Sequence, residues 1–130
     1  MDQKRSIPAP LINAENKPYF DAAAQGRLLL KRCLACGEFH YYPRTLCPFC
    51  FSERTEWREA AGTGTIYSYT VMRHGTPFAA AYVTLQEGVT MLTNVVDCDL
   101  AALRIGQAVR VVFRPTDGEV LVPMFTPASH

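Results

Sequence analysis

Four cysteines are the residues of this chain whose type and spacing most directly indicate chemistry. Cys33 and Cys36 form one Cys-x2-Cys pair, and after ten further residues Cys47 and Cys50 form a second. Each such turn directs two sulfur atoms toward one point, and two turns joined by a short hairpin can close a tetrahedron of thiolates around a metal ion. The spacing therefore predicts one metal site. Because four protein ligands leave no position for a substrate, we expect the metal to be structural.

Zinc is the expected ion. Four sulfur ligands accept zinc or iron, and nothing in the sequence requires redox chemistry. Two disulfides are one alternative, but the N-terminal residues do not form an export signal and cytosolic thiols stay reduced. A thioredoxin-like redox motif is another, although it would need only one of the two pairs. His40 lies between the pairs and could act as a ligand, but the four cysteines already complete the site.

The residues that follow the cysteine pairs predict two turns of unequal regularity. Gly37 can take the positive φ that such a turn favours, whereas a positive φ at Phe51 would cost conformational energy. We therefore expect the second turn to be less regular. The fifth cysteine, Cys98, stands between Asp97 and Asp99. Their carboxylates should raise its pKa, which favours a structural thiol over a nucleophile.

The N-terminal part of the chain must position these cysteines. Residues 1–15 are polar and contain proline, which indicates an extended arm. Asn16-Lys17-Pro18 predicts a helix start, because Asn caps well and Pro is tolerated in the first turn; residues 19–25 favour the helix, and Gly26 ends it. Residues 28–30 then predict a buried strand that leads into the first cysteine pair.

The C-terminal part has the pattern of a β-barrel. Runs rich in β-branched and aromatic residues predict five strands, with one or two helical turns before the fourth. The predicted strands cover residues 65–72, 78–85, 89–96, 109–113 and 120–125, and the helical turns cover residues 99–104. This is the element order of an OB barrel. We therefore predict a mainly β fold in which residues 1–60 form a helical arm and a four-cysteine zinc ribbon, and residues 61–130 form a five-stranded OB-fold barrel.

One loop and one arginine are candidates for ligand contact. The loop from Arg73 to Phe78 joins the first two predicted barrel strands, and in OB folds this loop commonly borders the ligand face. It combines Arg73, His74 and Phe78 beside a glycine, although a solvated turn explains it equally well. Arg44 lies near Tyr41 and Tyr42 between the cysteine pairs. Packing of the tyrosines is the default interpretation, but an arginine beside aromatic side chains is also typical of contact surfaces. No combination of nucleophile and base is identifiable in the sequence, so nothing indicates an active site.

Composition and charge narrow the classes of partner. The chain is 48% hydrophobic and 19% charged, as expected for a globular protein. Its net charge is +1, and residues 51–130 carry six Lys and Arg against eight Asp and Glu. Nucleic-acid binders usually concentrate positive charge on one face, so this balance opposes nucleic-acid binding. No apolar run approaches the ~20 residues needed to cross a bilayer, and we expect a cytoplasmic location.

An ordered set of short motifs resembles the rubredoxin-like Zn-ribbon/OB-fold family, formerly a family of unknown function and now tied to acyl-CoA metabolism. The motifs are Phe20-Asp21, Gln25-Gly26-Arg27-Leu28, the four cysteines with Tyr42-Pro43-Arg44 between them, the run from Gly62 to Ser68, Asn94-Val95-Val96-Asp97, Ile105-Gly106-Gln107 and Val111-Val112-Phe113. They cover nearly the whole chain. The cysteine spacing alone is common to many ribbons, whereas the ordered set is specific.

The resemblance implies a non-catalytic, zinc-binding auxiliary subunit of an acyl-CoA-processing complex, with a thiolase-like or hydratase-like enzyme as partner. In such a complex, the arm and the ribbon would form much of the partner contact. The resemblance also implies that acyl-CoA is accommodated near the barrel, with Arg44, Arg73, His74 and Phe78 as CoA-facing residues. The alternative function is single-stranded nucleic-acid binding, which the ribbon-plus-OB architecture suggests by analogy.

Overall fold

The computed structural model describes residues 7–73, 75–118 and 120–128. Mostly strands and one short α-helix form two sheets. The helix α1 covers Lys17–Ala23, and the first sheet contains β1 (Leu29–Cys33), β2 (Phe39–His40) and β3 (Thr55–Glu59) in the order β2-β1-β3. The second sheet contains β4 (Thr63–Met72), β5 (Phe78–Leu85), β6 (Thr90–Val95), β7 (Ala108–Pro115) and β8 (Leu121–Pro127), with a 3-10 turn over Leu100–Ala102.

The second sheet closes into a barrel in the order β4-β5-β6-β8-β7. The closing contact is the antiparallel pairing of β7 with β4, and β6 runs parallel to β8 where Val95 meets Phe125. Alternate residues of β5 point into the barrel, so that Ala79, Ala81 and Val83 are buried. The predicted five-stranded OB barrel behind an N-terminal ribbon is thereby confirmed.

Gly64 lies where β4 comes closest to β5. A Cβ atom at this position would stand 2.5 Å from the backbone oxygen of Thr84, a distance that no side chain can accept without moving the backbone. Glycine is therefore required here by the close approach of two strands.

The predicted N-terminal helix is present, but Asn16 does not cap it. The helix begins at Lys17, and the Asn16 side chain makes no capping hydrogen bond. Its Oδ1 instead accepts from the backbone N–H of Asn13 at 2.8 Å, and its Nδ2 donates to the hydroxyl of Tyr42 at 3.0 Å. The Asn16 side chain thus links the arm to the ribbon hairpin by hydrogen bonds. Gly26 has a φ of +77° just beyond the helix, as its predicted stop position requires.

The helix and both sheets share one buried core. Tyr19 and Phe20 of α1 and Leu30 of β1 belong to the same hydrophobic cluster as Ile66 and Phe125 of the barrel. The predicted division at residue 60 falls between β3 and β4, and the separation of the chain into two units there stays a prediction. Within the described residues, no helix has the length and apolarity needed to cross a membrane.

Candidate metal centre

The four predicted cysteines converge on one point. Their sulfur atoms all lie within 4.8 Å of one another, with 3.6 Å between Cys33 and Cys50 and 3.7 Å between Cys36 and Cys47. Sulfurs at the corners of a tetrahedron with zinc–sulfur bonds of about 2.3 Å would be roughly 3.8 Å apart. A disulfide would require a sulfur–sulfur distance of about 2.05 Å, and all four cysteines are unpaired. The arrangement fits a tetrahedral metal site and not two disulfides.

Two nearly identical turns present the sulfurs. In the first, the Gly37 N–H donates to the Cys33 carbonyl at 2.8 Å; in the second, the Phe51 N–H donates to the Cys47 carbonyl at 2.8 Å. Gly37 has a φ of +79° and Phe51 a φ of +65°. The expectation that Phe51 would make the second turn less regular is therefore wrong, because Phe51 adopts the left-handed conformation.

The electrostatics of the cluster favour a cation at its centre. The pKa of Cys33 is lowered to about 6, chiefly because the Cys36 backbone N–H donates a hydrogen bond to its sulfur. A hydrogen bond from the Glu38 N–H lowers the pKa of Cys36, but burial and the neighbouring sulfurs raise it more, to about 12. One thiol therefore ionises readily while another keeps its proton. Full ionisation of four crowded sulfurs needs the compensating charge of a metal ion.

The hairpin between the cysteine pairs is braced from two sides. His40 of β2 is buried, and its Nε2 accepts a hydrogen bond from the backbone N–H of Arg44 at 3.3 Å. From the arm, the Glu15 carboxylate accepts from the backbone N–H of Thr45 at 2.6 Å. Burial lowers the pKa of His40. His40 supports the hairpin and is not among the four grouped ligands.

Around the metal centre, several large apolar side chains face solvent. Phe49 and Phe51 are 63% and 74% exposed, and Leu34 and Leu46 are close to half exposed. We call these four residues the ribbon tip. Each of the four is a direct sequence neighbour of a cysteine of the cluster, and exposed apolar groups around one structural element are typical of a protein contact site. Sequence reasoning missed this surface, although the placement of Phe49 and Phe51 beside Cys50 was a visible signal.

The described candidate CoA-facing residues lie at two places in the fold, one on the ribbon hairpin and one on either side of the loop between β4 and β5. The Arg44 guanidinium stands 5.5 Å from the centre of the Tyr42 ring, on the ribbon hairpin. Arg73 is exposed just after β4, and His74 lies outside the described residues. Phe78 begins β5 and lines a cavity of about 370 Å³ at the end of the barrel, whereas neither Arg44 nor Arg73 lines that cavity. The described members of the predicted set are therefore divided between the ribbon hairpin and the β4–β5 hairpin, where Met72, next to Arg73, pairs with Phe78.

Family models for the two domains of ChsH2 match this chain in sequence order. The rubredoxin-like zinc ribbon domain matches residues 20–56, and the C-terminal OB-fold domain matches residues 57–114. A DUF35 domain-containing scaffold protein of Methanothermobacter thermautotrophicus is 35% identical over 91 residues, which cover 64% of this chain and 68% of that protein. The chain belongs to the DUF35 family.

Two further relatives extend the similarity of this DUF35 chain. A probable enoyl-CoA hydratase alpha subunit of Thermomonospora curvata is 39% identical over 127 residues, which cover 93% of the chain. The chain spans only 40% of the length of that relative. Among solved structures, a chain of an Ltp2–ChsH2(DUF35) aldolase is 38% identical with a TM-score of 0.81, and the match covers 93% of this chain and all of that one.

Proposed function

We propose that this DUF35 chain is a non-catalytic, zinc-binding auxiliary subunit of an acyl-CoA-processing complex, with a thiolase-type enzyme as its partner. The observation that carries the proposal is the closed sulfur cluster beside the exposed ribbon tip. A sulfur cluster whose four ligands would fill the metal shell supports a role in protein contact better than a role in catalysis. The similarity to a chain of an aldolase assembly and to scaffold proteins supports this role, and the name of the hydratase relative supports acyl-CoA chemistry.

In this proposal the metal is structural zinc. Cys33, Cys36, Cys47 and Cys50 would hold it with their thiolates, and these four ligands would fill a tetrahedral shell. The bound ion would supply cross-linking of the hairpin and no chemistry of its own. Because the thiols must stay reduced to bind zinc, a cytoplasmic location belongs to the proposal.

The ribbon tip is the proposed centre of the partner contact. Aromatic side chains in the middle of an interface often contribute most of the binding energy. Phe49 and Phe51 are well placed for this because both are large, exposed and held on a turn fixed by the cysteines. The partner surface should therefore be apolar where it meets the ribbon tip.

Co-purification tests the proposal. The full chain, loaded with zinc, is co-expressed with thiolase-type and with hydratase-type acyl-CoA enzymes of the same genome, and each mixture is separated by size. A stable complex with the thiolase-type enzyme is expected. Phe49→Asp should weaken it by roughly tenfold to thirtyfold. Ile105→Asp, which changes an equally exposed apolar residue of the barrel, should leave the affinity unchanged.

Two results would contradict the proposal. One is the absence of a complex with either enzyme class, and the other is turnover of an acyl-CoA by the isolated chain. A complex with the hydratase-type enzyme alone would keep the auxiliary role and change the partner. A CoA-facing role of Arg44, Arg73, His74 and Phe78 stays a prediction within this proposal.

A further inference from the structure

Two close pairs of sulfur atoms in the metal centre each join one cysteine turn to the other. Cys33 of the first turn lies 3.6 Å from Cys50 of the second. Cys36 of the first turn lies 3.7 Å from Cys47 of the second. Cys36 and Cys50 are exposed residues, whereas Cys33 and Cys47 are 0% exposed. Each close pair therefore combines one exposed cysteine with one buried cysteine.

An exposed cysteine beside a buried one is the arrangement that reversible thiol oxidation requires. A peroxide oxidises an accessible thiolate to a sulfenic acid, which then condenses with a neighbouring thiol to form a disulfide. In each close pair the exposed cysteine can meet the oxidant, and the buried cysteine can resolve the sulfenic acid. A disulfide has a sulfur–sulfur distance of about 2.05 Å. Closing either pair would therefore draw the two turns together and not separate them.

From this geometry we infer that the metal centre is also a site of oxidation by peroxides, and that oxidation releases the ion. The exposed Cys36 and Cys50 are oxidised first, and the buried Cys47 and Cys33 resolve them. The products are the disulfides Cys33–Cys50 and Cys36–Cys47, both of which join the first turn to the second. The inference rests on the proposed function in one respect, which is that zinc is the bound ion.

The reaction consumes one molecule of hydrogen peroxide for each disulfide. The exposed thiolate attacks one peroxide oxygen, the O–O bond breaks, and hydroxide leaves, so that the sulfur becomes a sulfenic acid. The buried thiolate then attacks the sulfenic sulfur, the S–S bond forms, and a second hydroxide leaves. The two thiolates lose two electrons to the peroxide, and none comes from the metal ion. Because zinc is held by thiolates, formation of the disulfides removes its ligands.

Peptide mapping after oxidation tests the pairing. The zinc-loaded full chain is treated with hydrogen peroxide while a zinc-sensitive dye follows release of the ion, and the remaining free thiols are then alkylated in urea. Trypsin places the first cysteine pair on a peptide of residues 33–44 and the second on a peptide of residues 45–54. Disulfides between the turns join these peptides, whereas disulfides within a turn leave them separate. We expect joined peptides and complete release of zinc.

A second digestion identifies the individual disulfides. Chymotrypsin can cleave after Leu34 and after Phe49, which separates the two cysteines of each turn. The expected fragments contain Cys33 joined to Cys50, whereas a bond between Cys33 and Cys47 would overturn the inference. Dimedone, which traps sulfenic acids, should label the exposed cysteine of each pair before the buried one. Reduction with a thiol and addition of zinc should restore the zinc-loaded chain.

Cys98 provides the matched control, because it lines the cavity at the end of the barrel and is not one of the four grouped cysteines. Cys98→Ser should leave the rate of zinc release unchanged. Disulfides within a turn, a disulfide to Cys98, or retention of zinc while Cys98 is oxidised would overturn the inference. A chain that binds no zinc would contradict the metal of the proposed function, and the peptide map of the oxidised chain would still decide the pairing. Co-purification decides the partner role separately.

Discussion

Phe51 and Gly37 occupy equivalent positions in the two cysteine turns but differ in conformational cost. Both have a positive φ, and both donate the same backbone hydrogen bond. A side chain in this left-handed conformation costs roughly 1–2 kcal/mol. Phe51→Gly should therefore raise the free energy of unfolding of the zinc-loaded chain by about 1 kcal/mol, measured by urea denaturation.

Gly37→Ala is the reverse experiment at the matching position. A Cβ at Gly37 would meet nothing closer than 3.9 Å, so its effect reports backbone conformation and not a clash. This variant should lower the free energy of unfolding by about 1 kcal/mol. If Phe51→Gly is destabilising, the Phe51 ring must contribute more to stability than its exposed position suggests.

His40 makes the stability of the ribbon depend on pH. Its Nε2 accepts the Arg44 N–H only when that nitrogen carries no proton. His40→Ala would leave a backbone donor unpaired and should cost about 2 kcal/mol. His40→Gln retains an acceptor and should cost less. The measurement is the free energy of unfolding of both variants at neutral pH. If His40→Gln and His40→Ala lower it by the same amount, the imidazole does not act as the acceptor for the Arg44 N–H.

The pH dependence of this contribution has a definite sign. Burial holds the folded-state pKa of His40 below its unfolded value of about 6.5. As pH falls through that value, the unfolded chain takes up a proton before the folded chain does, so stability decreases. The contribution should be complete above about pH 6.5 and be lost as the pH falls from there through the lower folded-state pKa. The measurement is the difference in free energy of unfolding between the unaltered chain and His40→Gln across this pH range. Protonation of the cysteines affects both proteins equally and does not contribute to this difference.

Among single residues, the sequence predicted those whose chemistry depends on local spacing. The four cysteines are of this kind, because two short turns determine where the sulfurs point. The role of Asn16 was not predictable in the same way. Its side chain bonds to Tyr42, a partner 26 positions away, and not to the helix end beside it. Contacts between residues so far apart in the sequence form only in the complete fold, so local sequence does not predict them.

At the scale of elements, the barrel strands were predictable and β3 was not. The barrel strands are apolar and rich in β-branched residues, with alternate side chains buried. Thr55–Glu59 is largely charged and has no fully buried residue, so its sequence resembles a loop. It becomes a strand because Trp57 and its neighbours pair with Leu29–Cys33. The predicted helical turns over residues 99–104 shorten to a 3-10 turn, although Asp99 caps it by accepting from the Ala101 N–H at 3.0 Å.

Metal removal should affect the two sheets differently. The sheet of β1, β2 and β3 is small, and β2 contains only two residues, so the cysteine cluster must supply much of its stability. Zinc contributes about 10–16 kcal/mol in zinc-binding peptides. Chelation under reducing conditions should therefore abolish amide hydrogen-exchange protection in Leu29–Cys33 and Thr55–Glu59 while Phe78–Leu85 retains it.

Restoring zinc provides the control for this experiment, because protection in the first sheet should return. The opposite outcome is loss of protection in both sheets together. That would mean that the core shared by Tyr19, Leu30 and the barrel makes the chain one cooperative unit, and the predicted division at residue 60 would be wrong.

For the whole molecule, the distribution of charge predicts weak binding of nucleic acid. Tyr67 and Tyr82 are exposed on the outside of the barrel and could stack on bases. However, β4, β5 and β6, which lie side by side, contain no charged residue. These three strands therefore offer no lysine or arginine to neutralise phosphates, and phosphate contacts supply most of the non-specific affinity for nucleic acid.

The chain should therefore bind single-stranded oligonucleotides weakly, with little dependence on salt. For a single strand, the slope of log affinity against log salt concentration is about −0.7 for each phosphate neutralised, so we expect a slope close to zero. Fluorescence anisotropy across a salt series measures it, and Tyr82→Ala should leave the result unchanged. A steep negative slope together with loss of binding in Tyr82→Ala would contradict this prediction. Phosphate contacts and base stacking would then act on the same oligonucleotide, and the outer face of the barrel would be a nucleic-acid site.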